Sequence, residues 1–251
     1  MLRDIHRILR SRLKLIQEDD FVMRTSQKGQ VELVGHEAIV TSSYLDSVKV
    51  WTWGVGHTAA AGSPKPGPGL LQDSSIPEIM HVFGNDLSQY ERRVEKAFTV
   101  QLTQEQFDAA VSFDFNTGGI LRASWVRLFN SGDVKGARSA FMQWNKPSSI
   151  IGRRKKECKL FFDGIYSNGG KASVYPADAS GNVLWKKGKV VNVDALLNGG
   201  DDDIKPVTSK TTTTTAGTAI VAVAGASAYY SWSTVSHWIA EHIGTFGGLF
   251  H

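Results

Sequence analysis

Cysteine is nearly absent from the chain, because Cys158 is the only one among 251 residues. An intrachain disulfide is therefore excluded, and folding does not depend on an oxidising compartment. No histidine lies close to Cys158 in the sequence, so we interpret it as a packing residue and not as a nucleophile. His36 and His57 also lack a second ligand at metal-binding spacing. No metal or organic cofactor is expected.

The N-terminal segment, residues 1–30, lacks the uninterrupted apolar run of a secretory signal. Basic residues are mixed with aliphatic ones up to residue 18, which predicts a basic amphipathic helix, and residues 19–30 are expected to form a connector. Two interpretations of this helix stay open. It either packs on the main domain or contacts an anionic membrane surface.

Charge is missing near the C-terminus, since residues 211–240 contain no Asp, Glu, Lys or Arg. The centre of this stretch is rich in Ala, Val and Gly and ends in three aromatic residues. This composition predicts a transmembrane helix with an aromatic belt within residues 216–251. The alternatives are a flexible tail or a helix docked on the main domain. The polar residues 198–215 that come before it predict a linker.

The most informative stretch covers residues 34–58 and reads VGHEAIVTSSYLDSVKVWTWGVGHT. The apolar residues on both sides of Glu37, through position 40, have helix-compatible spacing. We therefore place Glu37 at the end of a short helix, with its carboxyl facing a cleft. The Val, Trp and Thr residues further along favour a strand, and two glycines permit a tight turn. Asp46 and Thr52 are expected in a β-hairpin beside the helix.

These residues meet the needs of glycoside hydrolysis. One protonated carboxylic acid must donate to the leaving oxygen, and a second carboxylate must activate water or stabilise the oxocarbenium-like transition state. Apolar neighbours would keep Glu37 protonated, whereas Asp46 in a polar hairpin would stay ionised. The hydroxyl of Thr52 could hold the attacking water. Taken alone, the same triplet also fits a solvated helix residue, a turn former and an ordinary strand residue.

Five blocks of sequence, in order, resemble the phage-type lysozymes of the T4 and lambdoid endolysin family, glycoside hydrolase family 24. The first block holds the Glu, Asp and Thr pattern and ends in Trp-Gly-Val-Gly-His-Thr. The second resembles the helix that follows the cleft hairpin, and the third ends in Phe-Asn-x-Gly. The blocks are residues 34–58, 76–98, 102–121, 132–145 and 152–161.

By this resemblance, Glu37 is the general acid, Asp46 is the base or electrostatic partner, and Thr52 positions water. Thr58 and Phe115 fall where the family lines its sugar cleft. Their positions fit a turn-closing threonine and a core phenylalanine equally well.

The resemblance implies an α+β, mostly α fold: a two-lobed lysozyme-like domain over residues 31–164 with a β-hairpin lobe at the cleft. It implies hydrolysis of the β-1,4 bond between N-acetylmuramic acid and N-acetylglucosamine in peptidoglycan. Such a protein is made in the bacterial cytoplasm and acts at the cell wall or periplasm, from a phage lysis cassette or as a virion component. Two departures bear on the cleft: Ala38 replaces the usual glycine, and loop 59–69 is rich in Pro and Gly.

Residues 165–197, where the resemblance has ended, predict a small β-rich appendage. Strand-like pieces at positions 172–175, 183–187 and 190–193 are separated by Gly and Ser turns.

Several alternatives concern the partner and the reaction. The net charge of +4 suits an anionic cell wall but also nucleic acid. The basic runs at 153–156 and 186–189 are not interleaved with stacking aromatics, which argues against nucleic acid. We expect the first run on the solvent face of a helix and the second in a turn between strands. A transglycosylase, a non-catalytic glycan-binding protein and a membrane-active lysis protein stay open as other functions, although Asp46 and Thr52 favour water as the nucleophile.

Overall fold

The computed structural model describes residues 23–199. Within this range the chain forms eight α-helices and a five-stranded sheet, so the predicted α+β class is confirmed. The helices are α1 Gln27–Val34, α2 Ile76–Asp86, α3 Ser88–Ala97, α4 Gln104–Thr117, α5 Ser124–Asn130, α6 Val134–Phe141, α7 Ile151–Asp163 and α8 Val193–Leu197. The strands are β1 Ile39–Leu45, β2 Trp51–Gly54, β3 His57–Thr58, β4 Lys171–Tyr175 and β5 Lys189–Asn192.

Three predicted segments lie wholly or largely outside the described residues: the N-terminal amphipathic helix, the polar linker and the transmembrane helix. Among the helices that are described, none combines the length and the apolar character needed to cross a membrane. Residues 27–30, which we expected in a connector, form the first turn of α1. This helix begins there because Ser26 Oγ accepts a hydrogen bond of 3.0 Å from the backbone N of Gly29.

Strand β1 lies at the centre of the sheet, whose order is β3-β2-β1-β4-β5. On one side it pairs antiparallel with β2, with Tyr44 opposite Thr52, so the predicted hairpin is confirmed. On the other side it pairs parallel with β4, with Ile39 opposite Val174. The strands of the predicted appendage therefore extend the sheet that contains the hairpin.

The short helix that we expected to end at Glu37 ends three residues earlier. Helix α1 ends at Val34, Glu37 lies in the bend that follows, and Ala38 has a left-handed backbone with φ 62°. A left-handed residue cannot continue a right-handed helix. The β-branched residues that come next favour a strand, and they begin β1.

Two further elements differ from their predictions. The second sequence block forms two helices, α2 and α3, with Leu87 between them. In the appendage, β4 agrees with the predicted strand, but residues 185–187 form a 3₁₀ helix instead of a strand. Val193 begins α8 instead of ending β5, because the side chain of Asn192 caps the helix.

Helix α4 is buried along most of its length and joins the helical core to the cleft. A capping box at Thr103 begins the helix, and Gly118 ends it in the left-handed conformation with φ 56°. Phe113 packs against Trp125 at a ring-centroid distance of 5.2 Å within the aromatic core. Phe115, two residues further on, reaches the cleft.

Candidate active site

A cleft of about 600 Å³ lies between the sheet and helices α2, α3 and α4. This volume is typical of a small-molecule or glycan site. Four of the five predicted site residues line it: Glu37, Asp46, Thr58 and Phe115. The loop before β1, the turn after β1, strand β3 and helix α4 thus bring together residues that are separate in the sequence.

Glu37 sits directly after α1, and its backbone N donates to Val34 O at 3.2 Å. Its side chain is 16% exposed, so the carboxyl is largely but not fully shielded from water. Arg153 of α7 donates a hydrogen bond to Glu37 Oε1. This ion pair fixes the carboxyl at the wall of the cleft.

Arg153 is held by several acceptors at once. Its Nε donates to Glu157 Oε1 at 2.8 Å, and its Nη2 donates to Ser112 O at 3.2 Å. Burial lowers the pKa of Arg153, but the charges of Glu37 and Glu157 outweigh burial and raise that pKa above its ordinary value. The guanidinium therefore stays charged and rigid beside Glu37.

The expectation that the first basic run faces solvent is wrong for its two arginines. Arg154 is fully buried, its Nε donates to Trp144 O at 2.8 Å, and its guanidinium lies 4.6 Å from the ring centroid of Phe113. Burial raises the pKa of Glu157, but Arg154 and Arg153 outweigh burial, and the net shift is downward. The sequence feature that could have predicted this cluster is Glu157, an acidic residue placed three and four positions after the two arginines, where side chains of a helix meet.

Asp46 follows β1 and is only 6% exposed. Its Oδ1 accepts backbone hydrogen bonds from Val48 and Val50, each at 2.9 Å. These bonds hold the carboxyl in one orientation at the turn of the hairpin. The expected hairpin position of Asp46 is therefore confirmed.

We expected the hydroxyl of Thr52 to hold the attacking water, but Thr52 lies beneath the cleft surface. It is 1% exposed, and it is not among the described residues that line the cleft. Its hydroxyl donates to Val50 O at 3.1 Å, which leaves the oxygen lone pairs as acceptors. Thr52 lies between Tyr44 of β1 and Thr58 of β3 in the strand pairing.

Phe115 serves both the core and the cleft. Its ring lies 5.8 Å from Phe83 and 5.0 Å from Tyr90, measured between centroids, and 7% of the residue is exposed. Phe115 is therefore a core residue that also lines the cleft.

His57 and Asp86 form a pair that sequence reasoning missed. Because a carbonyl oxygen only accepts, His57 Nε2 must donate to Pro64 O at 2.7 Å, while Nδ1 lies 2.8 Å from Asp86 Oδ2. Burial lowers the pKa of His57, but the hydrogen bond and charge of Asp86 and the carbonyls of Pro64 and Gly62 outweigh it, so the pKa is raised. Asp86 itself lines the cleft.

Loop 59–69 is tied to the sheet at two points. Pro64 O accepts from His57, and Gly67 N donates to Ser43 Oγ at 3.4 Å. Ala60 and Ala61 of this loop line the cleft. In the part of the chain that the structure describes, no three His, Cys, Asp or Glu side chains form a group that could hold a metal ion.

The sequence of this chain is similar to those of phage lysozymes and endolysins. Residues 34–157 match the family model described as phage lysozyme. The endolysin of Bacillus phage B103 is 29% identical over 180 residues, which cover 68% of this chain and 66% of that protein. The endolysin of Bacillus phage PZA is 30% identical over 155 residues, or 58% of each chain. A crystal structure of a P22 lysozyme mutant has 28% identity and a TM-score of 0.51, covering 55% of this chain and 98% of that one.

The resemblance to phage-type lysozymes is confirmed, and the family match includes the cleft-lining residues from Glu37 to Phe115. This chain spans slightly less than two thirds of the B103 endolysin and a smaller share of the PZA endolysin. The family match includes Arg153 and Glu157 but stops before the segment 165–197.

Proposed function

We propose that this protein is a peptidoglycan muramidase that hydrolyses the β-1,4 bond between N-acetylmuramic acid and N-acetylglucosamine. The observation that carries the proposal is the placement of two carboxyl groups, Glu37 just before β1 and Asp46 just after it, on the wall of one cleft. Glycoside hydrolysis requires such a pair. The similarity to endolysins of several phages supports the same reaction class.

Glu37 acts as the general acid and protonates the leaving glycosidic oxygen. Asp46, fixed as an acceptor by two backbone N–H groups, stabilises the positive charge that develops on the sugar ring or activates water. Thr52 positions the attacking water through the lone pairs that its bond to Val50 leaves available. Arg153 orients the Glu37 carboxyl toward the bond that is cleaved.

Thr58 and Phe115 supply contacts to the glycan. The Phe115 edge offers an apolar surface to a pyranose ring, and the Thr58 hydroxyl offers a polar group at the end of the hairpin. The protein is made in a bacterial cytoplasm and reaches the cell wall during host lysis. Attachment to the membrane, proposed for residues 216–251, concerns a segment outside the described residues.

The first experiment measures the rate at which the full-length chain lyses purified cell walls, for the parent and for Glu37→Gln. The change removes the donated proton and is nearly isosteric, so we expect a loss of at least several hundredfold with an unchanged circular dichroism spectrum. Glu95→Gln, an exposed position on α3, is the matched control and should lyse like the parent. Equal lysis by Glu37→Gln would overturn the assignment.

The product mass distinguishes the reaction type. A muramidase adds one water across the cleaved bond, so each product fragment should end in an ordinary reducing sugar and have the corresponding mass. An anhydro-sugar, lighter by one water, would identify a transglycosylase and remove Asp46 and Thr52 from their proposed roles.

A further inference from the structure

The polypeptide after the residues that match the phage lysozyme family model forms part of the cleft. Val183 and Trp185 line the same cleft as Glu37 and Asp46, although the family match ends at residue 157. This follows from the sheet order, because β4 covers the edge of β1 that faces away from β2. The segment therefore runs beside the strand that connects the two carboxyl groups.

The loop that precedes Trp185 is fixed to the hairpin. Leu45 N, at the end of β1, donates to Gly181 O at 2.8 Å. Asp178 closes the turn of the loop, because its Oδ1 accepts two backbone hydrogen bonds from the residues that follow, at 2.9 and 3.0 Å. The loop thus has a defined position before any ligand binds, which lowers the entropy cost of binding.

Trp185 is held in place and yet exposed. Tyr175 of β4 packs against its ring in an edge-to-face arrangement with centroids 5.0 Å apart. Gly188 makes room for Tyr175, since a Cβ at that position would lie 2.2 Å from the tyrosine ring. Even so, Trp185 is 58% exposed, the highest value among the large hydrophobic residues that the structure describes. A rigid, exposed indole in a cleft is a typical binding surface.

We propose that Trp185 is a sugar-stacking platform that binds a pyranose ring of the glycan strand away from the bond that is cleaved. The C–H face of a pyranose is apolar and packs on an indole ring, while its hydroxyl and acetamido groups remain in water. This inference rests on the proposed function, because it assigns Trp185 to the same glycan substrate.

The charge around Trp185 fits this ligand. Lys186 and Lys187 follow it directly and are exposed, and Lys189 begins the next strand. An N-acetylmuramic acid unit carries either a free lactyl carboxylate or a stem peptide with carboxylates of its own, so a positively charged rim attracts the glycan strand. The indole of Trp185 is neither an acid nor a base near neutral pH, so its contribution goes to binding and not to bond cleavage.

The test uses soluble peptidoglycan-derived oligosaccharides of increasing length with the full chain. Hydrolysis is measured for the parent, Trp185→Ala and Trp185→Phe, and binding is measured in the Glu37→Gln background, where the glycan stays intact. We expect Trp185→Ala to raise KM and Kd for the longest oligosaccharide about three- to tenfold at unchanged kcat. The effect should shrink for the shortest cleaved oligosaccharide, and Trp185→Phe should retain most of the affinity.

Val190→Ala is the matched control, because Val190 is 41% exposed in the same segment and does not line the cleft. It should behave like the parent. If the parent cleaves the oligosaccharides and Trp185→Ala has the same KM at every length, the stacking platform is refuted while the muramidase assignment stands. If the parent neither binds nor cleaves any oligosaccharide, the muramidase assignment fails, and the platform fails with it.

Discussion

Arg153 donates a hydrogen bond to the carboxyl of Glu37, a residue 116 positions earlier in the chain. The same guanidinium bonds to Glu157 and to the backbone carbonyl of Ser112. Arg153 belongs to helix α7 of the helical lobe, and Glu37 lies just before strand β1. Helix α7 thereby fixes the side chain to which we assign the role of general acid. The orientation of Glu37 depends on the packing of the two lobes against each other.

Replacing Arg153 by Met should lower wall lysis about tenfold to a hundredfold, because Glu37 loses the group that orients it. The free energy of unfolding should fall by about 3 kcal/mol, since the buried Glu157 loses one of its two cations. The measurements are the pH profile of lysis and urea unfolding. Lys156→Met, exposed on the same helix, is the control for both. A variant of Arg153 that lyses walls at the parent's rate would show that the ion pair does not orient Glu37.

Replacing Ala38 by Gly should stabilise the protein by roughly 0.5–1 kcal/mol. The φ of 62° is unfavourable for alanine, and glycine removes this strain from the folded protein. The free energy gained exceeds the entropic cost of the extra flexibility that glycine brings to the unfolded chain. Urea unfolding measures the change. Lys49→Gly, at a turn with φ 65°, should also stabilise, whereas Ala109→Gly within α4 should destabilise by about 1 kcal/mol or more. A loss of stability in Ala38→Gly would refute the strain at that position.

The ion pair of His57 and Asp86 should make stability depend on pH. The pKa of His57 is raised in the folded protein, so the pair's contribution is fully present below the unfolded pKa near 6.5 and is lost as the pH rises through the folded pKa. Asp86→Asn should therefore be destabilised most at pH 5.5 and least at pH 9. Urea unfolding between these values tests this, with His81→Gln on the exposed face of α2 as the control. A difference that is constant with pH would contradict the ion pair.

Gly181 should not tolerate a side chain. A Cβ at this position would lie 2.8 Å from the Trp51 ring and 3.1 Å from Leu45 N, so Gly181→Ala should lower the free energy of unfolding by about 2–3 kcal/mol. Gly169→Ala is the matched control, because its φ is also positive and nothing lies within 4 Å of the new Cβ. Its free energy of unfolding should fall only by the smaller cost of placing alanine in a left-handed backbone conformation. Equal losses in the two variants would show that the contact with the hairpin is not tight.

The sequence predicted local features better than distant ones. The hairpin with Asp46 and Thr52 followed from strand-forming residues and two glycines, which act over a few positions. The end of the first helix was placed at Glu37 instead of Val34, because the short apolar run at residues 38–40 fits a helix or a strand equally well, and the left-handed backbone of Ala38 leads into a strand. Arg153 was placed in solvent because a basic run on a helix usually faces water, and only the fold brings it to Glu37.

The parallel pairing of β4 with β1 could not be predicted for a similar reason. The β4 segment was predicted as a strand, but its pairing with β1 joins positions more than a hundred residues apart and depends on the helices between them. The same is true of Trp185, whose place at the cleft follows from that pairing.

Because β4 covers one edge of β1, the end of α7 is a poor place to truncate the chain. A fragment that stopped at Gly164 would leave the backbone N–H and C=O groups of that edge unpaired, which invites self-association between strands of different molecules. It would also remove Ser167, whose backbone N donates to the buried Glu32 at 2.8 Å, and Tyr166, whose hydroxyl donates to the buried Asp108 at 2.7 Å. The smallest fragment that keeps these contacts should therefore extend through Leu197.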